Sequence, residues 1–149
     1  MNKKFKIGNK YIGHKSPTYF IADIAANHDG KIERAKKLIK LCAKAGANAA
    51  KFQHFKAETI VHNDGFKKIG KLDHQAKWKD SVFNVYKKAS INPKWTKVLV
   101  NECKKNKIDF LTAAYDLNYV DELGKYLPAY KIGSGDITWR EILVKIAKK

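Results

Sequence analysis

Motifs for bound metals and for disulfides are scarce in this sequence. The 149 residues include only two cysteines, Cys42 and Cys103, and neither belongs to a Cys-x-x-Cys pair. No His-x-His or His-Glu-x-x-His pattern occurs, so the chain offers no recognisable ligand pattern for a zinc centre. Both cysteines lie in segments with helical periodicity, and we expect them to be reduced packing residues of a cytosolic protein.

Long apolar segments are missing as well. No run approaches the ~20 residues that a membrane helix needs, and the basic start, residues 1–8, has no apolar segment of ~7–15 residues behind it as in a signal peptide. We therefore expect a cytoplasmic protein without membrane contact. The length suits one domain with its own core.

Arginine is nearly absent although the chain is strongly basic. Lys and Arg together number 31 against 14 acidic residues, giving a net charge of +17, yet only Arg34 and Arg140 are arginines. Recognition of bases and phosphates favours the arginine fork, so nucleic acid is disfavoured as a partner. The charge still suits attraction of anionic substrates. A lysine-rich module that binds anions or nucleic acid stays open as an alternative function.

What the sequence does contain is a repeated pattern of a short apolar strand followed by an amphipathic helix. Residues 5–12 predict a β-hairpin around Gly8-Asn9. Predicted strands follow at 19–26, 49–53, 108–112 and 129–133, predicted helices at 31–45 and 74–89, after Asn92-Pro93, after Asp116 and after a Thr138/Glu141 capping box, and a loop at 54–72. Such alternation is typical of an α/β fold with a parallel sheet. An open doubly wound sheet and half of a (β/α)₈ barrel, which takes about 250 residues when complete, both fit.

Polar residues follow the predicted strands, where parallel α/β folds place their functional groups. Lys51 and Gln53 are two positions apart and share a strand face, as do Asp23 and Asn27. A lysine in a buried strand is costly unless an anion meets it, so Lys51 and Lys131 together predict a cavity for a small polyanion. The alternative is a salt bridge from Lys51 to Asp23 and a Lys131 that reaches solvent.

The turn Gly133-Ser134-Gly135-Asp136 is a second feature that favours an anion. Its glycines allow close approach of a ligand to the backbone, and amides at a following helix start favour negative charge. A plain strand-to-helix turn with Asp136 as the cap is the alternative. Among the histidines, His28 suits a hydrogen-bonding spacer, and His54 is a candidate for substrate contact.

Three of these segments together resemble the sialic acid synthase family, which comprises N-acetylneuraminate synthases and their legionaminic and pseudaminic acid relatives. They are Ile-Ala-Asp-Ile-Ala-Ala-Asn-His-Asp-Gly at 21–30, Ala-Gly-Ala-Asn-Ala-Ala-Lys-Phe-Gln at 45–53 and Tyr-Lys-Ile-Gly-Ser-Gly-Asp-Ile-Thr at 130–138. The resemblance covers roughly residues 5–148. It implies a TIM (β/α)₈ barrel followed by a small antifreeze-like domain that reaches the partner's active site in a homodimer.

The activity implied by the resemblance is formation of a carbon–carbon bond between phosphoenolpyruvate and an N-acyl amino sugar such as N-acetylmannosamine. Water takes part and phosphate leaves. A divalent cation, Mn²⁺ or Mg²⁺, acts as a Lewis acid on the aldehyde oxygen. A synthase of 3-deoxy sugar acids that also condenses phosphoenolpyruvate remains an alternative, disfavoured by the loop at 27–30 and by the Ser-Gly-Asp turn.

Carried over position by position, the resemblance gives the basic and amide side chains substrate-binding roles. Lys51 and Lys131 hold the carboxylate and phosphate of phosphoenolpyruvate. Ser134 adds a hydroxyl and an amide, and Gln53 contacts sugar or pyruvyl oxygens. The further candidates for substrate binding are Asn27, His28, Thr112 and Tyr115.

The two carboxylates receive catalytic roles by the same resemblance. Asp23, where many members have Glu, lies near the sugar aldehyde, and Asp136 handles the proton of the attacking water. Ala113 stands where the family usually has Thr or Ser touching phosphoenolpyruvate. A lost hydrogen bond to a charged group weakens binding by about 1.5–3 kcal/mol.

The resemblance ends after the fourth strand–helix unit. In the family, the metal-binding histidines lie on later strands, so the implied metal ligands are not in this chain. We therefore expect residues 1–149 to form a single domain, the N-terminal half of a barrel that is preceded by the hairpin, without the C-terminal half and the antifreeze-like domain. Such a half is expected to be inactive alone and to associate with a complementary half, because its strand edges are uncovered.

Overall fold

The computed structural model describes residues 4–69 and 77–149, and its elements alternate as the sequence predicts. In chain order they are β1 (Phe5–Ile7), β2 (Lys10–Ile12), β3 (Ile21–Ala25), α1 (Ile32–Lys44), β4 (Ala49–His54), α2 (Ala57–Ile60), α3 (Asn63–Ile69), α4 (Val82–Ala89), α5 (Thr96–Lys105), β5 (Asp109–Ala114), α6 (Leu117–Gly124) and α7 (Arg140–Ala147). Short 3₁₀ turns lie at Pro93–Trp95 and Ser134–Asp136. Within the described ranges, no helix is long and apolar enough to cross a membrane.

The N-terminal hairpin is confirmed. β1 and β2 pair antiparallel, with Phe5 opposite Ile12, and Gly8 in the turn has a φ of +56°, which favours glycine. The hairpin turn lies against the start of β5, since a Cβ on Gly8 would stand 2.8 Å from Oδ1 of Asp109. The Tyr19 hydroxyl donates to the same carboxylate at 2.6 Å. The hairpin therefore covers the amino-terminal end of the sheet.

The sheet is parallel, with strand order β3-β4-β5. Asp23 lies opposite Lys51, Lys51 opposite Leu111, and Gln53 opposite Ala113. Because paired residues of neighbouring strands point to the same face, these side chains share one face of the sheet. A single parallel bridge from Ala113 to Lys131 extends the sheet by one position, where the sequence predicted a full strand at 129–133.

The opposite face of the sheet is covered by helices. Ile24, Phe52 and Phe110 pack there against α1 and α5, in a buried cluster that also contains Ala35, Ile39, Ala50, Ile91, Leu99, Val100 and Cys103. A second cluster joins the end of β5 to α6 and α7 through Ala114, Tyr119, Val120, Leu123 and Ile142. Both cysteines are free, and Cys103 is buried, as expected. Val98 on α5, an apolar residue at helical spacing with Cys103, is nevertheless 40% exposed.

Several boundaries differ from the prediction. The expected loop at 54–72 holds α2 and α3, and the helix expected at 74–89 begins only at Val82, with its predicted start at 74–76 outside the described residues. The predicted capping box fails, because α7 begins at Arg140 and its N-cap, Trp139, makes no side-chain cap bond. The nearly continuous apolar run at 19–26 predicts a strand covered on both faces, and this is also wrong, since Ile21 is 45% exposed.

Candidate active site

The sheet face opposite α1 and α5 carries polar residues where the parallel strands end. At this end β4 carries Lys51, whose Nζ lies 2.8 Å from Oδ1 of Asp23 on β3. Lys51 is only 8% exposed, whereas the Asp23 side chain is 56% exposed. The salt bridge that the sequence left open as an alternative is therefore present. Its carboxylate faces solvent, and its ammonium group is enclosed by the protein.

Lys131 shares the face of Lys51 and Gln53. The bridge to Ala113 sets its register, and Ala113 is in turn opposite Gln53. The Lys131 side chain is exposed, and its ammonium group donates to the carbonyl oxygen of Ile132. The two lysines thus lie on one side of the sheet, on strands separated by β5.

The Ser134–Asp136 turn lies beside Lys131 and is distinct from α7. The turn does not lead directly into the helix as predicted, because residues 137–139 separate the two; the anion site at the turn stays a prediction. The N-cap of α7 is Trp139, so Asp136 does not cap it either. Burial raises the pKa of Asp136, and the Lys131 charge opposes that rise. Ser134 is exposed at the start of the turn.

The phenol of Tyr115 lies within the electrostatic influence of both Asp23 and Asp136. Burial, then Asp136, then Asp23, raise the pKa of its phenol, so both carboxylates act on this ring. The ring packs tightly on Gly133, where an added Cβ would lie 2.7 Å from Cε1 of Tyr115 and 2.7 Å from Oδ2 of Asp136. The Tyr115 backbone amide donates to the His54 carbonyl at 2.9 Å, which fixes the loop after β5 to the end of β4.

Two predicted substrate contacts, Thr112 and His28, are corrected by the structure, and the parity argument for Asn27 fails. Thr112 is fully buried on the helix-covered side, where its hydroxyl lies 2.9 Å from Nδ1 of His54. His28 is also fully buried, with its ring 5.7 Å from that of Trp95. Neither side chain has surface for a ligand. β3 ends at Ala25 in a bulge with a φ of +51°, so the alternation that was to put Asn27 on the face of Asp23 stops before it.

The structure also overturns the substrate contact expected of His54. Its Nδ1 pairs with Thr112, and its Nε2 lies 3.0 Å from the hydroxyl of Thr96 at the start of α5. Burial lowers the pKa of His54 to about 4, with His28 adding to the effect, so the ring is neutral at neutral pH. His54 ties β4, β5 and α5 together just beneath the site.

Sequence reasoning missed an aromatic cluster at the same end of the sheet. Phe55 follows β4 directly and is 3% exposed. Its ring centroid lies 5.6 Å from that of Tyr86 on α4 and 6.5 Å from that of Tyr115. Tyr86 stood in the sequence as one of several apolar residues at helical spacing, yet α4 has no fully buried residue. The spacing predicted the helix, but it did not predict that Tyr86 packs against Phe55.

The donor groups around the site do not form a metal centre by themselves. In the part of the chain that the structure describes, no group of three or more His, Cys, Asp or Glu residues is placed to hold an ion. Asp23 is paired with Lys51. We therefore assign no divalent cation to residues 4–69 or 77–149.

Comparisons with known proteins show which proteins the chain resembles. Residues 38–149 match the sequence model described as "NeuB family". The N,N'-diacetyllegionaminic acid synthase of Campylobacter jejuni is 38% identical over 132 residues, which are 88% of this chain and 39% of that protein. The spore coat polysaccharide biosynthesis protein SpsE of Bacillus subtilis is 34% identical over 146 residues, 97% of this chain and 38% of that protein.

A solved structure extends the likeness to three dimensions. The N-acetylneuraminic acid (sialic acid) synthetase of Leptospira borgpetersenii, crystallised with citrate, superposes with a TM-score of 0.83 at 27% identity, covering 99% of this chain and 47% of that one. The α/β architecture with its parallel sheet is thus similar to the corresponding part of that synthetase. The chain spans about two fifths of the length of the curated relatives it matches.

Proposed function

Because the chain belongs to the NeuB family, we propose that it forms the phosphoenolpyruvate-binding half of a synthase that condenses phosphoenolpyruvate with an N-acyl amino sugar to a nonulosonic acid and phosphate. The observation that carries the proposal is Lys51, a charged residue only 8% exposed on the sheet face that it shares with Gln53. Gln53 lies on the same strand face, and Lys131 follows two strands away. A cationic face of this kind suits a small ligand with several negative charges.

In this proposal the two lysines bind the ligand's anionic groups. Lys51 and Lys131 hold the carboxylate and phosphate of phosphoenolpyruvate, and the exposed Ser134 adds its hydroxyl and amide. Lys131 and Ser134 are exposed, so both are free to turn toward a ligand. Gln53 contacts sugar or pyruvyl oxygens. Charge-assisted hydrogen bonds are the strong ones, which is why the lysines dominate the expected affinity.

The carboxylates take the catalytic roles. Asp23 lies nearest the sugar aldehyde, and Asp136 accepts the proton of the water that attacks. Burial raises the pKa of Asp136, and a more basic carboxylate accepts a proton more readily. A divalent cation, Mn²⁺ or Mg²⁺, belongs to the complete enzyme in this proposal. The described residues do not form a site for it.

Association with a complementary half is part of the same proposal. β3 is the outer strand of the described sheet, and Phe20 and Ile21 beside it are 62% and 45% exposed. Uncovered strand edges and apolar side chains favour pairing with another chain segment. We expect the 149-residue chain to release no phosphate from N-acetylmannosamine, phosphoenolpyruvate and Mn²⁺ by itself, and we expect the complete enzyme to be a homodimer.

Direct ligand binding tests the proposal. Phosphoenolpyruvate is titrated into the chain and followed by ³¹P NMR and calorimetry, with the variants Lys51→Gln and Lys131→Gln. Loss of one charged hydrogen bond corresponds to about tenfold weaker binding or more. The control is Lys97→Gln, an exposed lysine on α5. Equal affinity in all four proteins contradicts the proposed site.

The two alternatives make different predictions in the same assay. A general anion or nucleic-acid binder loses polynucleotide affinity steeply as salt rises and shows no preference for phosphoenolpyruvate over inorganic phosphate. A synthase of 3-deoxy sugar acids binds phosphoenolpyruvate but uses a sugar without an acylamino group. The NeuB family match favours the first proposal over both.

A further inference from the structure

Four aromatic side chains form a continuous wall at the carboxyl end of the sheet. The aromatic wall consists of Phe55, Trp78, Tyr86 and Tyr115. Phe55 lies at the centre, with Tyr86 at 5.6 Å and Tyr115 at 6.5 Å between ring centroids, and Trp78 lies 6.5 Å from Tyr86. The rings come from the segment between β4 and α5 and from the loop after β5, so tertiary folding alone brings them together.

The wall borders the charged site. Tyr115, its inner member, lies close enough to Asp23 and Asp136 for both to affect its ionisation, and its ring touches the Gly133 position beside Ser134. Tyr86 acts electrostatically on Tyr115 as well. Phe55 is buried, whereas Tyr86 and Tyr115 are half-buried. The two tyrosines are therefore partly accessible to solvent, and the buried Phe55 packs against both of their rings.

The chemistry of the wall differs from that of the lysines. Aromatic rings bind apolar groups through their faces, and ligand sites combine such surfaces with a few placed polar groups. Phosphoenolpyruvate is a small polyanion whose charged groups the lysines satisfy. Its proposed co-substrate, an N-acyl amino sugar, carries an apolar acyl methyl group next to a polar amide.

We infer that the aromatic wall binds the acylamino substituent of the sugar and that Tyr86 is a specificity-determining residue of the site. This inference rests on the proposed function. It extends that function by assigning recognition of the acyl group to the four rings, with Tyr86 of α4 among them. The ring face of Tyr86 matters in this inference, and its hydroxyl does not.

Saturation-transfer NMR on the 149-residue chain tests the inference, because it detects weak ligands. N-acetylmannosamine is added, and saturation is applied in turn to the aromatic and the aliphatic protein protons. We expect the acetyl methyl to receive the strongest transfer under aromatic irradiation. Tyr86→Ala should lower that methyl transfer at least threefold, and Tyr86→Phe should restore it. Tyr11→Ala, which removes an exposed ring of the hairpin, should leave it unchanged.

Phosphoenolpyruvate binding, measured by ³¹P NMR on the same samples, separates the inference from the proposed function. Unchanged phosphoenolpyruvate binding with loss of methyl transfer in Tyr86→Ala supports the inference. Equal methyl transfer in the Ala variant and the wild type, or no transfer in the wild type, overturns it and leaves the lysine site standing if phosphoenolpyruvate still binds. Absence of phosphoenolpyruvate binding in the wild type overturns the proposed function instead. Should Tyr86→Ala fail to fold, Tyr86→Leu replaces it with the same expected loss.

Discussion

The ammonium nitrogen of Lys51 lies 2.8 Å from the carboxylate of Asp23 on the neighbouring strand, at directly paired positions of the sheet. The lysine is enclosed and the aspartate faces solvent. A buried charge needs a partner. Asp23 is that partner for Lys51, and because Asp23 is exposed, the site stays accessible on its side. An anionic ligand therefore meets a lysine already held in position and a carboxylate that repels it.

Replacement of Asp23 by Asn separates these two effects. Without the carboxylate, Lys51 loses its charged partner, and we expect the free energy of unfolding to fall by about 1 kcal/mol. Phosphoenolpyruvate should raise the melting temperature of D23N more than that of the wild type, because the repulsion is gone. Thermal unfolding with and without ligand measures both. Asp64→Asn is the control, since its ion pair with Lys67 is exposed on both sides. A smaller ligand effect in D23N would place Asp23 away from the anion.

Glycine 133 should not tolerate a side chain. A Cβ there would stand 2.7 Å from both Tyr115 and Asp136, so Gly133→Ala has to displace one of them. Overpacking of this kind costs about 1–3 kcal/mol, and we expect weaker phosphoenolpyruvate binding as well. At Gly135 nothing lies within 4 Å of the same atom, so Gly135→Ala is the matched control. Urea denaturation of the two variants checks this, and equal stabilities would contradict it.

A hydroxyl at position 113 should strengthen anion binding. Ala113 lies on the sheet face of Lys51 and Gln53, in register with Lys131, and is only 1% exposed, so Ala113→Ser adds a hydroxyl donor next to Lys131, beside the proposed phosphate position. One hydrogen bond to a charged group amounts to about tenfold in affinity. Ala114→Ser puts the same hydroxyl among the apolar residues that pack on α6 and should not improve binding. Calorimetric titration of both variants decides, and identical affinities would remove position 113 from the site.

Acid should destabilise the protein through His54. Its pKa is about 4 in the folded chain, against about 6.5 when unfolded. Between these values the unfolded chain binds the extra proton, so stability falls as the pH falls through this range. The lowered pKa of His28 acts in the same direction. Between about pH 7 and about pH 5, the free energy of unfolding should fall by about 2 kcal/mol more in the wild type than in His54→Gln.

Urea denaturation at the two pH values measures this loss. His14→Gln, a change at an exposed position, should follow the wild type. If His54→Gln shows the same loss as the wild type, the acid sensitivity comes from other groups.

Local patterns carried most of the element assignment. The hairpin around Gly8-Asn9, α1 and the cap of α6 were all predicted, and Asp116 does accept from the Asn118 amide at 2.8 Å. These features depend on neighbours in sequence. The capping box at Thr138 failed although its residues were present, because packing at Trp139 and Ile142 starts the helix later than the local motif suggests.

The site was predicted in part. Strand parity placed Lys51 and Gln53 together, and register agrees with it. Thr112 is one position from Ala113, so side-chain alternation places it on the other face of the sheet, where it contacts His54. The sequence around His28 contains no pattern that indicates its burial. Its burial against Trp95 depends on the approach of the Pro93–Trp95 turn, a segment more than sixty positions away in the chain.

The sequence by itself determined the succession of the five strands, the position of α1 and the shared face of Lys51 and Gln53, because side-chain alternation and helical spacing are properties of adjacent residues. The tertiary structure decided which polar groups became partners: Asp23 for Lys51, Thr112 and Thr96 for His54, and Phe55 for Tyr86 and Tyr115. These contacts join segments distant in the chain. Their distances are set by the packing of the sheet against its helices, which no local pattern encodes.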